Sequence, residues 1–419
     1  MSVVSSLYTG AAGLNSHGEA LSVVGDNIAN VNTIGYKLSR ANFEDVLAQS
    51  VGGGNETGLG SRIADVQKIL TQGALLGTGV ATDLAIKGDG FFAVKGSAAG
   101  LDGTFYTRAG QFHLDKDGYM VNADDLKAQG YTVNAQGVLV KSLTDIQLSN
   151  APIPPVATTQ ATIAGNLDST SAPMDAVTNP WDLTNPEGTS NFSTSMTVYD
   201  SLGDSHSVTV FYRNDSATGW NYYALADGAE VTGGTPGTWS QIGTGTMTFD
   251  TSGNLTAGGT GTIATTFNGA AAQTITVDLT QVTGYASKST VTYLDQNGYG
   301  SGSLSGISIN SEGTITGIFS NGQQRTVGQV LLADFKAADQ MSRIGSNLYI
   351  ETEASGTALL GEAASGGRGT ISAGSLEQSN VDLAQQFVDM IAFQRGFQSN
   401  SKTIQTADQM LQELINLKR

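Results

Sequence analysis

Apolar residues recur every seven positions at both ends of this chain. Leu7, Leu14, Leu21 and Ile28 form one run, with Val24 and Val31 three positions after its last two members. Leu383, Met390, Phe397, Ile404 and Leu411 form the other, widened by Phe387, Phe393, Ala407, Leu414 and Ile415. A seven-residue period places such side chains along one helix face. The first helix, over 4–31, carries Gly10, Gly13, Gly18 and Gly25. Each glycine costs up to about 1 kcal/mol against alanine, so this helix is weak alone. The second contains only Gly396 and no proline. It is expected to start with Ser379 or Asn380 as N-cap and Asp382 in the first turn, and to run about 35 residues. Two seamed helices at opposite ends of a chain bury their stripes by pairing with each other or with further copies. The plainer alternative is an internal helical hairpin with protected ends.

Between the helices the composition is that of strands and turns. Charged residues are only 14%, and glycine reaches 54 of 419 residues. Gly, Ser, Thr, Asn and Gln supply the polarity. Residues 80–145 read as short strands broken by Gly-Asp and Asp-Gly turns, as in "TDLAIKGDGFFAVKG". "NAPIPPVATTQ" (150–160) holds three of the seven prolines and marks a boundary. Residues 160–285 alternate as in "STSMTVYD" and contain Trp181, Trp220 and Trp239, so they need a core of their own. Short strands return over 294–350.

The expected fold class is mixed and mainly β. Two nested β domains, the outer one inserted in the inner, accompany a coiled-coil-like pair of N- and C-terminal helices. Residues 1–32 and 378–419 form the terminal helical domain, and 33–75 with 356–377 an extended linker region. Residues 76–145 with 289–355 form the inner β domain, and 146–288 the inserted outer one.

Net charge is −17, with almost all of it between the termini. An acidic chain does not attract nucleic acid or anionic membranes. Cysteine is absent, which excludes disulfides and thiolate metal sites. The N-terminus has no basic region followed by an uninterrupted apolar one, so no cleaved signal is expected, and no run approaches the roughly 20 apolar residues of a span. "GDGFF" (88–92) lacks the spacing and lysine of a phosphate loop. "DKDG" (115–118) lacks the third acid and closing Glu of a calcium loop and reads as a tight turn. His17, His113 and His206 fall in separate segments. No catalytic, cofactor or metal residue is assigned.

"GDNIANVNTIGYK" (25–37) closes the first helix. Asn27, Asn30 and Asn32 suit its last carbonyls or a neighbouring subunit, Gly35 permits a turn, and Tyr36 anchors the chain that follows. These five read as a packing junction.

At this point the residues carry a resemblance. "SLYTGAAGLNSHGEALSVVGDNIANVNTIGYK" (6–37) resembles the N-terminal segment shared by bacterial flagellar rod and hook axial proteins. "TDLAIKGDGFFAV" (82–94), "YTRAGQFHLDKDGYMVNADDLKAQGY" (106–131) and the last segment (374–419) are similar to that family's further blocks, in its order. The inserted residues, including "STSMTVYDSLGDSHSVTVFY" (193–212), resemble the outer domain of its hook members, and residues 214–290 are the least recognisable part. The resemblance implies a non-enzymatic, self-assembling subunit of a short curved tube outside the cell, which bends while transmitting torque from rod to filament. It implies export through the flagellar type III apparatus. It also implies partners in the distal rod, hook cap and hook–filament junction proteins, with no nucleic acid and no membrane insertion. A distal rod subunit and, outside the family, a surface adhesin are the alternatives. The seam residues Leu7, Leu14, Leu21, Ile28, Leu383, Met390, Phe397, Ile404 and Leu411, with the junction residues, are then the subunit-packing positions.

Overall fold

A computed structural model describes residues 3–47, 58–134, 137–148, 152–175, 177–216 and 218–417. Helix α1 spans Val3–Ala29 and helix α2 spans Leu383–Leu417. They are antiparallel: Gly10 lies against Ile404, Gly13 against Asn400 and Gly396 against His17. Asn30 stops α1 by turning its side-chain amide back onto the Asp26 carbonyl (2.9 Å). The cap of α2 differs from expectation. Asp382, not Ser379 or Asn380, fills it, its carboxylate accepting the N–H groups of Ala384 (2.9 Å) and Gln385 (3.3 Å). A carboxylate at that position meets both the free amides and the helix dipole. Among the described residues no helix is long and apolar enough to cross a membrane.

The chain divides into two compact units. The first comprises 1–150, 306–318 and 324–419; the second comprises 151–305 and 319–323. Residues 289–305, expected with the inner β domain, thus lie in the second unit. In the first, the segment expected as an extended linker forms a long antiparallel hairpin of β1 (Ser39–Leu47) and β2 (Gly58–Lys68). A larger antiparallel sheet follows. Its central strands lie in the order Gln324–Asp334, Lys127–Val133, Phe91–Ala98, Leu101–Thr107 and Leu348–Ile350. Their inward residues, such as Phe92, Val94, Phe105 and Leu332, fill one core. At the "DKDG" turn the Asp115 carboxylate accepts the N–H groups of Asp117 (2.9 Å) and Tyr119 (2.8 Å), which occupies it within the turn itself.

The second unit is one ten-stranded sheet. Residues Ser205–Ser216 and Gly219–Asp227 show why it folds this way. Val208, Val210, Tyr212 and Trp220, Tyr222, Ala224 point into the core with period two. The opposite face carries Tyr223, on which Trp181 stacks at 4.0 Å, and Phe211, which meets Trp239 edge-on at 6.0 Å. Only one of the three tryptophans is therefore in the core. Tyr222 lies across Gly245 and Gly261, where any β-carbon would collide with its ring. Those two glycines give the ring its space.

Candidate assembly face and terminal junction

The buried line of α1 is Gly10, Gly13, Ser16, Ala20, Val24 and Asn27. Small residues let α2 approach its backbone. A β-carbon on Gly10 would lie 2.9 Å from Ile404, and one on Gly13 2.5 Å from Asn400. The seven-residue series Leu7, Leu14, Leu21 and Ile28 runs beside this line, and each member is only half-buried. On α2 the residues turned inward include Gln386, Ala407 and, half-buried, Met390, Phe393, Ile404 and Leu411. Leu383 and Phe397 are each 40% exposed. Phe387, Val388, Ile391, Met410 and Ile415 are exposed as well. The helix pair thus uses part of its apolar surface within the chain and leaves a row at 383, 387, 388 and 391, continued by 397, facing water. Contiguous apolar exposure of this kind marks an interaction surface.

The β1–β2 hairpin packs on the helices as a third layer. Ser16 and Ser61 share a hydrogen bond of 3.1 Å. The rings of His17, Phe43 and Phe393 form a triangle, His17 lying 5.4 Å from Phe43 and 6.0 Å from Phe393 and the two phenylalanines 5.8 Å apart, with Gly396 against the edge of His17. One element from each layer therefore meets at His17.

At the other end of α1 the junction residues do separate things. Asn27 is buried and saturated. Its amide donates to the Ser39 carbonyl (2.8 Å) and to Gln386 Oε1 (2.9 Å); its oxygen accepts from Ser39 N (3.0 Å) and the Tyr36 hydroxyl (3.1 Å). It ties α1, β1 and α2 together. Asn30 caps the helix and accepts the Thr33 hydroxyl (3.0 Å). Asn32 is exposed. Gly35 takes a left-handed φ of 70°, and a β-carbon there would strike the Ala109 amide at 2.5 Å; its N–H donates to the Glu377 carbonyl at 2.7 Å. Tyr36 is buried, donates to Asp26 (2.9 Å), and lies under the Arg343 guanidinium at 4.6 Å. Burial pushes its phenol up to about 12.

Sequence reasoning passed over the charges that weld this junction. Lys37 and Glu377 are fully buried and paired at 2.7 Å, and Arg108 reaches the other oxygen of Glu377 at 3.3 Å. Glu377 also accepts the Gly73 N–H (2.9 Å), and Lys37 donates to the Thr71 carbonyl (2.9 Å). Burial lowers the Lys37 ammonium below its usual value, with Glu377 pulling the other way. Asn380 completes the join, accepting from Leu38 N (2.7 Å) and donating to the Ile69 carbonyl (2.9 Å). One signal was available: Lys37 is the lone charge of 27–39 and Glu377 the lone charge of 369–381. Isolated opposite charges in neutral segments have few other partners.

Four known families match along the chain: "Flagella basal body rod protein" over 7–37, "Flagellar hook protein FlgE/F/G D1 domain" over 85–166, "Flagellar basal body protein FlaE D2 domain" over 166–299, and "Flagellar basal body rod FlgEFG protein C-terminal" over 372–417. The flagellar hook protein FlgE of Borreliella burgdorferi is 35% identical, covering 99% of this chain and 99% of its own. That of Salmonella typhimurium is 35% identical, covering 97% of this chain and 98% of its own. The crystal structure of Helicobacter pylori flagellar hook protein FlgE2 is 17% identical with a TM-score of 0.48, covering 71% of this chain and 98% of that one.

Proposed function

The chain belongs to the flagellar hook protein family, and from that premise we propose how its surfaces build the flexible hook. Its terminal helices pack against those of neighbouring copies to form the tube wall. Leu7, Leu14, Leu21, Ile28, Leu383, Met390, Phe397, Ile404 and Leu411 are the packing positions. Asn27, Asn30, Asn32, Gly35 and Tyr36 form the junction that fixes the wall to the β domains. Bending is taken up between β domains of different copies while the helical wall holds, so torque passes from rod to filament. The role is structural, without catalysis. The subunit is exported by the flagellar type III apparatus and works outside the cell. It meets the distal rod protein, the hook cap and the hook–filament junction proteins.

The observation that carries this reading is the apolar row left exposed on α2 after α1 has been packed. Immunogold labelling with antibody raised against residues 160–285 tests it. Label is expected on a short curved segment at the base of each flagellum; label spread over the envelope would sink the hook reading. Phe397→Asp tests the packing positions. Phe397 is 40% exposed in the single chain, so the fold should persist while polymerisation and motility fail, because assembly would bury an unpaired charge. Normal hooks from this variant would remove the row from the mechanism.

A further inference from the structure

A cavity of about 210 Å³ opens where α1, β1 and the start of α2 converge. Ala20 and Val24 of α1, Ala41 of β1 and Phe393 of α2 line its apolar part, and Arg40 and Asp389 stand on its wall. It is smaller than the roughly 300–1,000 Å³ of small-molecule sites, and so is sized for a single side chain. The mixture of apolar wall and two opposite charges suits a side chain with an apolar body and a polar tip. Arg40 already bonds Gln67 and Asp389 accepts from Gln385, but a guanidinium and a carboxylate each have further capacity.

The opposite end of the helix pair offers such a side chain. Tyr8 is the only Phe, Tyr or Trp of α1, and it is 67% exposed. It lies 12 to 16 residues before Ala20 and Val24, about 18–24 Å along the helix axis. The cavity of its own chain is therefore out of its reach. A polymer that grows head to tail joins two different surfaces of the same subunit, and each must be complementary to the other. A protruding tyrosine at one end of an antiparallel pair and a side-chain-sized cavity at the other meet that requirement.

We propose that Tyr8 of one subunit inserts into the Ala20–Val24–Phe393 cavity of a second copy, with its hydroxyl placed between Arg40 and Asp389. The contact offsets the two copies by about 18–24 Å along the helix axis. This deepens the hook-polymer reading and rests on it.

The test places p-azidophenylalanine, a close match to tyrosine in shape, at position 8 of the full chain. Hooks assembled from a mixture of isotopically heavy and light subunits are illuminated and the adducts mapped by mass spectrometry. Heavy–light adducts at 20–24, 38–41 or 385–393 are expected. Adducts elsewhere, or only within single chains, overturn the docking. A second measurement uses Tyr8→Ala and reads the critical concentration for growth on purified hook seeds. A rise of about tenfold or more is expected, as for loss of a buried aromatic anchor; an unchanged value overturns the proposal. If hooks carry the native chain but adducts map elsewhere, only the docking fails. If the native chain is absent from hooks, the reading beneath it fails too.

Discussion

Gly396→Ala separates two opposed expectations about the helix pair. By intrinsic propensity the substitution stabilises α2 by up to about 1 kcal/mol. By packing it should do the reverse. The added β-carbon would sit 2.6 Å from two atoms of the His17 ring. Phe43 and Phe393 pack against that ring at 5.4 and 6.0 Å, so moving it disturbs the aromatic cluster. Overpacking of this kind costs about 1–3 kcal/mol, so the net effect runs from near zero to about 2 kcal/mol of destabilisation. Gly25→Ala is the control. It lies in α1 with nothing within 4 Å of its β-carbon position, so it should show the propensity gain alone. The difference between the two variants is then the packing cost itself, about 1–3 kcal/mol. Amide hydrogen exchange on the monomer reads local opening energies of α1 and α2 directly, without requiring the whole chain to unfold in two states. If Gly396→Ala raises protection as much as Gly25→Ala, the contact between Gly396 and His17 is not a packing constraint.

The buried charges give an ordering. Glu377→Ala leaves Lys37 and Arg108 facing each other without their shared partner and should cost about 3–5 kcal/mol in opening of the junction; Lys37→Met keeps Glu377 on Arg108 and the Gly73 N–H and should cost roughly 1–3 kcal/mol. Equal losses or the reverse order, measured by exchange at 35–38 and 374–380, would refute the triad. At alkaline pH, Tyr36 and Tyr106 are both pushed to about 12 by burial, whereas in the unfolded chain they ionise near 10. Their contribution is complete below pH 10 and is lost as pH rises through 12. Lys37, lowered by burial from 10.5, gives a slope of opposite sign below that value, so the test is the comparison with Tyr36→Phe, whose stability should fall less steeply above pH 10.

The terminal helices were legible because a seven-residue period survives in sequence whatever it packs against. The face was not. Leu7, Leu14, Leu21 and Ile28 announce where apolar mass lies, but Gly10, Gly13 and Ala20 decide how closely a partner backbone can approach. Propensity counts a glycine as a defect, and only coordinates show the neighbour that needs its missing β-carbon. The same blindness applies to Gly245 and Gly261 under Tyr222. All three tryptophans lie in the second unit, yet alternation alone could not say that Trp181 and Trp239 dress its outer face while Trp220 fills the core. Lys37 and Glu377 lie 340 residues apart, and pairing at that distance has no local signature beyond the solitude of each charge.

The seam residues divide in a way that bears on assembly. Had the heptads served only an internal hairpin, their members should be the most buried residues of the pair. Instead Ala20, Val24 and Ala407 are buried, while Leu383 and Phe397 keep 40% of their surface. A chain that leaves Phe387, Val388 and Ile391 in water as well carries more apolar helix surface than one partner can cover. At roughly 25 cal/mol for each Å² covered, a row of such side chains supplies several kcal/mol to whatever covers it. On the function proposed above, that cover is the neighbouring subunit, from which the glycine-rich α1, weak alone, would gain its remaining order.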